Sequence, residues 1–427
     1  MSGLELFDFQ QDVLNRTQEF TRTAYYLDMG LGKTFVGSEK MHQLGTHNNV
    51  VICQKSKIPD WVKHFETYYP DLATVNATEK TFDYDVDMHF FGIDRRPHVL
   101  IINYALIYRR PWLRELNNYT LMLDESSLIQ NPNTERTKVV MGIQPDNIIL
   151  LSGTPVNGKY EKLLTQMRLL GWNIDEDLFW RQYVDWEWVE EDGFYRRQVN
   201  GYKNIERLTR KLAQHGAVFM KSEDVMELPE QVHIPVKVPV TDEYRRFIKS
   251  RIIRMDGKTL IGDMVLTKRL YARMLCSWYN PAKLQAFRDL INSTESRIVV
   301  FYNWKEELRE LQNICTYFER PTSVMNGSTK DLSAYEHYDD AITLVQYQTG
   351  ARGLDLQKAH YVIDFSLTES SELFEQSKKR IHRTGQTERC FYYYLLCEKS
   401  IEEDIFENLK QGRDYTDALF ENYASQF

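Results

Sequence analysis

The segment Met29-Gly30-Leu31-Gly32-Lys33-Thr34 constrains this chain more than any other. It follows the short apolar run Ala24 to Leu27 and precedes a helical pattern that begins at about Thr34. Strand, Gly-rich turn and helix in that order aim backbone N–H groups at a phosphate. Gly30 and Gly32 let the chain curl, and the helix N-terminus adds partial positive charge. In such a loop Lys33 would reach the β- and γ-phosphates and Thr34 would hold Mg²⁺. The full phosphate-loop pattern has Gly at its first position, where this chain carries Leu27. ATP and Mg²⁺ are therefore the expected ligands.

The rest of the first 170 residues is consistent with a parallel α/β domain around that loop. Asn49 to Cys53, Val99 to Ile102, Leu121 to Leu123 and Ile148 to Leu151 are short apolar runs that end in small or polar residues, as buried parallel strands do. A second alternating region starts near Ile298, with strands expected at Ile298 to Phe301, Ile342 to Val345, Tyr361 to Phe365 and Phe391 to Leu396. Between them the chain is rich in Trp, Tyr, Arg and Glu and has a helical period. The expectation is an α/β protein with two P-loop-type domains in tandem, residues 1–170 and 298–427, separated by a helical insertion over 171–297.

Two further groups complete a candidate site. Leu121-Met122-Leu123 runs into Asp124 and Glu125. At the carboxyl end of a parallel strand such a pair lies beside the phosphate loop. Asp124 would hold Mg²⁺, partly through water, and Glu125 would orient and deprotonate the attacking water. Gln376, Arg380 and Arg383 are spaced i, i+4, i+7 and would share one face of a helix. A planar guanidinium there suits a γ-phosphate.

Composition excludes little. Hydrophobic residues make up 42% and charged residues 27% of 427 positions, as in a globular protein with real cores. No run approaches a membrane span and no secretory signal is expected at the N-terminus. Five scattered cysteines without metal or redox spacing read as reduced thiols of a cytoplasmic protein. A net charge of -8 argues against a general nucleic-acid coater, yet a motor needs only one basic track. Arg95-Arg96, Arg109-Arg110, Arg196-Arg197, Arg207 to Lys211 and Arg245 to Arg254 are local basic clusters. Each reads first as a solvated face. Trp172, Trp180, Trp186 and Trp188, near Arg181, Tyr195, Arg196 and Arg197, read as core before they read as a base-stacking surface.

Taken in order, these segments resemble the superfamily-two helicases, and within them the Swi/Snf-like translocases. Leu6-Phe7-Asp8-Phe9-Gln10 resembles the family's adenine-reading element, with Gln10 as the reader and Asp8 in place of proline. Met29 to Thr34 matches the family's phosphate loop fully. Val50 to Cys53 with Trp61 and Phe65 resembles motif Ia and its downstream tryptophan. Asp124-Glu125-Ser126-Ser127 stands where the family has aspartate-glutamate-alanine-histidine, so Ser127 changes the usual contact from motif II to motif III. Ser152-Gly153-Thr154-Pro155 with Asn157 resembles motif III, and Ser152 and Thr154 take its coupling role. Met220 to Val225, then Leu228-Pro229, is the stretch most specific to the Swi/Snf-like group. Val300 to Trp304 resembles motif IV and makes Asn303 and Trp304 candidate nucleic-acid contacts, as are Thr349 and Trp61. Gln376 to Gln386 is similar to motif VI. Gly350 to Leu356 instead resembles motif V of DEAD-box RNA helicases, whose aspartate, here Asp355, meets the nucleotide ribose.

The resemblance implies two RecA-like lobes, ATP and Mg²⁺, and a monomeric motor that moves along DNA, whether single-stranded, duplex or forked, with strand separation or remodelling of branched DNA as an extension. A replication or recombination protein is the expected partner. A near-bare motor suggests the cytoplasm of a bacterium or a phage-infected cell. Two alternatives stay open: an RNA helicase of DEAD-like character, and a nucleotide-gated DNA clamp that serves a partner.

Overall fold

The computed structural model describes residues 5–79, 82, 96–156, 158–191, 194–350, 354–383 and 385–424. The chain divides into two compact units, residues 1–225 with 414–427, and residues 226–413. Asn157, Arg95, Thr384 and residues 351–353 of the sequence motifs lie outside the described residues, as does the side chain of Thr349.

The first unit holds β1 (Arg22–Leu27), β2 (Asn48–Cys53), β3 (Ala73–Asn76), β4 (His98–Asn103), β5 (Tyr119–Asp124), β6 (Asn147–Leu151), β7 (Val184–Glu191), β8 (Phe194–Tyr202) and β9 (Ala217–Met220). Seven of them form one sheet in the order β3-β4-β2-β5-β6-β1-β9, with every neighbouring pair parallel. Apart from a half-buried first residue or last Asp, the strands β1, β2, β4, β5 and β6 are buried along their length, which explains their unbroken apolar runs. The helix Lys33–Leu44 packs so closely on this sheet that a Cβ at Gly37 would lie 2.9 Å from Leu151 and Met122.

The second unit holds β10 (Gln231–Val238), β11 (Ile252–Met255), β12 (Lys258–Ile261), β13 (Ile298–Tyr302), β14 (Thr322–Met325), β15 (Lys330–Asp331), β16 (Ile342–Gln346), β17 (Tyr361–Asp364) and β18 (Cys390–Cys397). Its main sheet runs β10-β18-β17-β13-β16-β14-β15, parallel except for the last pair. Val299, Phe301, Val345, Val362, Tyr392 and Leu396 are among the buried side chains of one of its cores.

The region 171–297 corrects the expectation of a helical insertion. It contains helices, but also the antiparallel hairpins β7–β8 and β11–β12, the edge strand β9 of the first sheet and the edge strand β10 of the second. The unit boundary falls inside it, between Val225 and Met226. Short strands rich in Trp, Arg and Glu escape a search for apolar runs, because one face of such a hairpin is wet. The Trp-rich segment is also not simple core. Trp188 is 58% exposed and Tyr195 70%, while the Arg197 guanidinium lies 5.0 and 4.9 Å from the Trp180 and Trp186 rings.

Candidate nucleotide-binding site

Three neighbouring strands of the first sheet, β5, β6 and β1, deliver their carboxyl ends to one place. Asp124 ends β5, Ser152 follows β6, and the phosphate loop follows β1. Brought together this way, groups about 90 residues apart in sequence become neighbours, which is the usual ligand position in a parallel sheet.

The loop is shaped by backbone. Gly30 and Gly32 have φ of 90° and 71°, in the left-handed region that favours glycine. Space also demands Gly32, since a Cβ there would lie 2.3 Å from the Gln10 amide nitrogen. Gln10 is buried, donates from Nε2 to the Leu31 carbonyl at 3.0 Å and accepts from the Phe7 N–H at 3.1 Å. Its helix, Asp8–Arg16, is anchored by buried Lys40, whose ammonium donates to the Thr17 and Gln18 carbonyls at 2.7 and 3.2 Å. Lys33 folds over the loop and donates to the Leu27 and Asp28 carbonyls at 2.9 and 3.1 Å. Thr34 is half-buried in the first turn of the helix.

The acidic pair is held from several sides. The Trp61 indole, buried beneath it, donates to Asp124 Oδ2 at 2.8 Å, and Tyr104 donates to the Asp124 carbonyl at 3.0 Å. Trp61 thus acts on the carboxylate expected to hold the metal, and is too buried to offer its ring to a nucleic acid. Glu125 adopts a left-handed φ of 59°, uncommon for a residue with a side chain. Its Oε1 accepts from Ser152 at 3.2 Å and Ser127 at 3.3 Å. Ser127, standing where the family carries histidine, therefore bonds the Glu125 carboxylate itself. Ser152 supplies the link from motif III. Thr154 is buried, and its N–H donates to Ser152 Oγ at 3.2 Å.

Two residues that the sequence reading did not single out complete the scaffold. Gln166, fully buried, accepts from Ser126 at 2.8 Å and Tyr26 at 3.1 Å and donates to the Pro155 carbonyl at 2.9 Å. One amide thereby ties motif II, motif III and β1 together. Asp28 accepts from Ser222 Oγ at 3.1 Å and from the Met29 N–H at 2.8 Å. The Ser222 hydroxyl also lies 3.2 Å from the Met29 carbonyl, so the Met220 to Val225 segment buttresses the phosphate loop. Neither residue has a sequence signal of its own. Both matter through partners far along the chain.

Burial foremost pushes the Asp124 carboxyl up to about 6, with Glu125 adding to the rise and the Trp61 N–H, Lys33 and Lys57 opposing it. The folded value exceeds the ordinary carboxylate value. This group therefore favours the fold most below that ordinary value, and the contribution is lost as pH rises through about 6. Metal binding needs the opposite, ionised form. Trp61→Phe removes a hydrogen bond that lowers the value, so the acid limb of kcat/KM against pH is expected to move to higher pH. A limb that stays in place would show that the indole does not tune Asp124.

In the second unit the residues of motif VI are close but not arranged as expected. The helix Ser371–Lys378 ends before Arg380, so Gln376, Arg380 and Arg383 do not share one helical face. Tertiary bonds turn the chain there. The Arg380 carbonyl accepts from the Leu356 N–H at 3.0 Å, and buried His382 bonds the Pro229 carbonyl at 2.8 Å and the Gln231 side chain at 3.1 Å. Arg380 is buried and donates to the Leu354 carbonyl at 3.1 Å. Arg383 pairs with Asp355, bringing motif VI and motif V into contact. Gln376 is buried and donates to Glu372 at 3.2 Å.

The motif IV side chains act as struts. Asn303 Nδ2 bonds Ser366 Oγ at 2.8 Å and the Ser366 and Leu367 carbonyls at 3.1 Å. Trp304 packs 5.6 Å from Trp278 and stacks under the Arg273 guanidinium at 4.7 Å. Buried Glu307 accepts from the Asn303 and Trp304 N–H groups at 2.7 and 3.1 Å. No described helix is long and apolar enough to cross a membrane.

Two family patterns together cover most of the chain. The SNF2-related domain pattern matches residues 27–285, and the helicase conserved C-terminal domain pattern matches residues 282–385. The chain is 23% identical over 434 residues to the ISWI chromatin-remodeling complex ATPase ISW1 of Saccharomyces cerevisiae, covering 90% of this chain and 37% of that protein. It is 20% identical over 424 residues to the uncharacterized ATP-dependent helicase MG018 of Mycoplasma genitalium, covering 90% and 39%. The chain thus spans less than two fifths of the length of these curated relatives. A solved structure, the Sulfolobus solfataricus SWI2/SNF2 ATPase core in complex with dsDNA, aligns over 99% of this chain and 94% of its own at 18% identity, with a TM-score of 0.46.

Proposed function

Since the chain belongs to the SNF2-related family, we propose that it is a DNA-stimulated ATPase that uses Mg-ATP to move along DNA. The observation that carries this reading is the meeting of Lys33, Asp124, Glu125 and Ser152 at the carboxyl ends of three adjacent parallel strands. That placement joins a phosphate cradle to a carboxylate held ready by hydroxyl donors.

The residues divide the work as follows. The Gly30 and Gly32 turn presents N–H groups to the phosphates and Lys33 neutralises the β- and γ-phosphate charge. Glu125, oriented by Ser152 and Ser127, takes a proton from the attacking water. Arg380 and Arg383 stabilise the charge that develops on the γ-phosphate. Gln10 reads the adenine edge, and Asp355 and Gln376 act near the ribose and phosphates. Thr34 and half-buried Asp124 are oxygen donors of the kind Mg²⁺ takes, and the ion when bound would neutralise phosphate charge. The Ser152–Glu125 bond and the neighbouring Thr154 give motif III a path to sense hydrolysis. The expected setting is the reducing cytoplasm of a bacterium or phage-infected cell, in keeping with five free buried cysteines. There the motor would act as a monomer beside replication or recombination proteins.

ATPase rates with no polymer, single-stranded DNA, duplex DNA, forked DNA and RNA test the reading. Stimulation by DNA is expected. Stimulation by RNA alone would replace it with the DEAD-like reading that Gly350 to Leu356 suggests. A rate that no polymer raises would make the chain a nucleotide-gated clamp.

A further inference from the structure

The hairpin β11–β12 of the second unit has an outward face that the fold leaves uncovered. Its strands pair Ile252 with Ile261, Ile253 with Leu260 and Arg254 with Thr259. Alternation puts Ile253 and Met255 inward, where they pack against the cluster of Tyr244, Phe247, Ala272 and Leu275. Ile252, Arg254, Thr259 and Ile261 therefore face out, and the two isoleucines stand directly opposite each other at 53% and 49% exposure. An outward strand position is ordinarily polar.

Charge identifies what would cover this face. Residues 245–273 hold nine Lys and Arg against two Asp and no Glu, in a chain whose net charge is -8. Arg245 and Arg246 pair with Asp242 and Glu243, and Arg269 and Arg273 pair with Glu369. Among the described residues no ion pair neutralises Lys249, Arg251, Arg254 or Lys268, which lie on or beside the hairpin. Arg251 caps the helix Asp242–Ser250 with a φ of 60°. Glycine ordinarily takes that left-handed conformation at a helix end. The turn Asp256-Gly257, with φ of 49° and 72°, closes a tight hairpin suited to projecting from a surface.

We propose that this hairpin is a duplex-DNA contact outside the nucleotide site. Lys249, Arg251, Arg254 and Lys268 meet phosphates, and Ile252 and Ile261 pack against the sugar edge of a groove. A two-stranded ribbon is narrow enough for a major groove of about 12 Å. Basic side chains beside exposed branched aliphatics suit a partner with charged rails and an apolar sugar edge. The proposal rests on the DNA reading above and adds to it a second point of attachment, which would keep the motor on its track.

Duplex binding measured across a salt series tests it. With R251A/R254A, the slope of log K against log salt is expected to fall in magnitude by about 2, because two phosphate contacts are lost. R251K/R254K, which keeps both charges, should retain the wild-type slope. I252S/I261S should weaken binding severalfold with the slope unchanged. The polymer-free ATPase rate should be the same in all three variants, since none of these residues touches the nucleotide site, and that rate also reports an intact fold. A wild-type slope in R251A/R254A overturns the proposal and leaves the face to a protein partner. If the wild-type protein shows no stimulation by DNA, the functional reading itself fails. If it is stimulated and the slope does not move, only the hairpin proposal fails.

Discussion

Arg383→Ala is expected to lower DNA-stimulated ATP turnover on the order of a thousandfold while leaving ATP affinity nearly unchanged. That is about 4 kcal/mol of lost transition-state stabilisation. The size follows from the geometry of the charge. A planar guanidinium offers paired donors to a phosphate whose oxygens gain charge only as the bond breaks, so its loss affects kcat far more than ground-state binding. Arg383→Lys should rescue little, because an ammonium cannot reproduce the fork. The structure adds a condition. Arg383 is paired with Asp355, and its burial pulls its proton affinity below the ordinary arginine value without making it neutral near pH 7. In the role proposed for it the arginine exchanges this carboxylate for phosphate, so Asp355→Ala should speed a slow arginine-engagement step while weakening the ribose contact proposed for Asp355. Single-turnover hydrolysis together with fluorescent-nucleotide binding separates the two effects. Turnover within about tenfold of wild type would remove Arg383 from the catalytic group.

Lys283→Ala is expected to destabilise the second unit by about 3–5 kcal/mol. Lys283 and Glu402 are joined at 2.5 Å with side chains 0% and 4% exposed. Burial alone would lower the lysine's proton affinity, yet the adjacent carboxylate reverses the sign and holds it raised. Glu402 also accepts the Cys397 N–H at 2.9 Å, so the pair fastens the helix Pro281–Asn292 to the end of β18. Cys276 and Cys397 lie beside Glu402, a grouping that resembles a metal site, but the Lys283 ammonium already supplies the cation there. Removing the lysine strands a buried carboxylate. Removing both charges, as Lys283→Met with Glu402→Leu, should recover most of the loss, since an apolar pair of similar volume has no desolvation penalty. Urea unfolding measures both. A single variant as stable as wild type would mean that water reaches Glu402.

The strands of both sheets were legible where burial on two faces makes an apolar run: β1, β2, β4, β5 and β6, then β13, β16, β17 and β18. Missed were the short or edge strands β3, β9, β10, β14 and β15 and the two hairpins, whose residues alternate or are too few to stand out. The unit boundary was displaced for the same reason. The segment 171–297 supplies an edge strand to each sheet, and pairing partners at that separation leave no local trace.

Within the site, local motifs carried Lys33, Thr34, Asp124 and Glu125 because a phosphate loop and a strand-end acidic pair are each contiguous in sequence. The sequence by itself determined the phosphate loop, the acidic pair and the family, since each depends on residue types at fixed short spacing. Only the tertiary structure decided that Trp61 sits under Asp124, that Gln166 and Ser222 buttress the two motifs, and that Arg380 and Arg383 leave the helix whose face they were expected to share. Those outcomes depend on hydrogen bonds between residues up to 194 positions apart. No window of sequence contains both partners of such a bond, so its physics enters only when the chain has closed on itself.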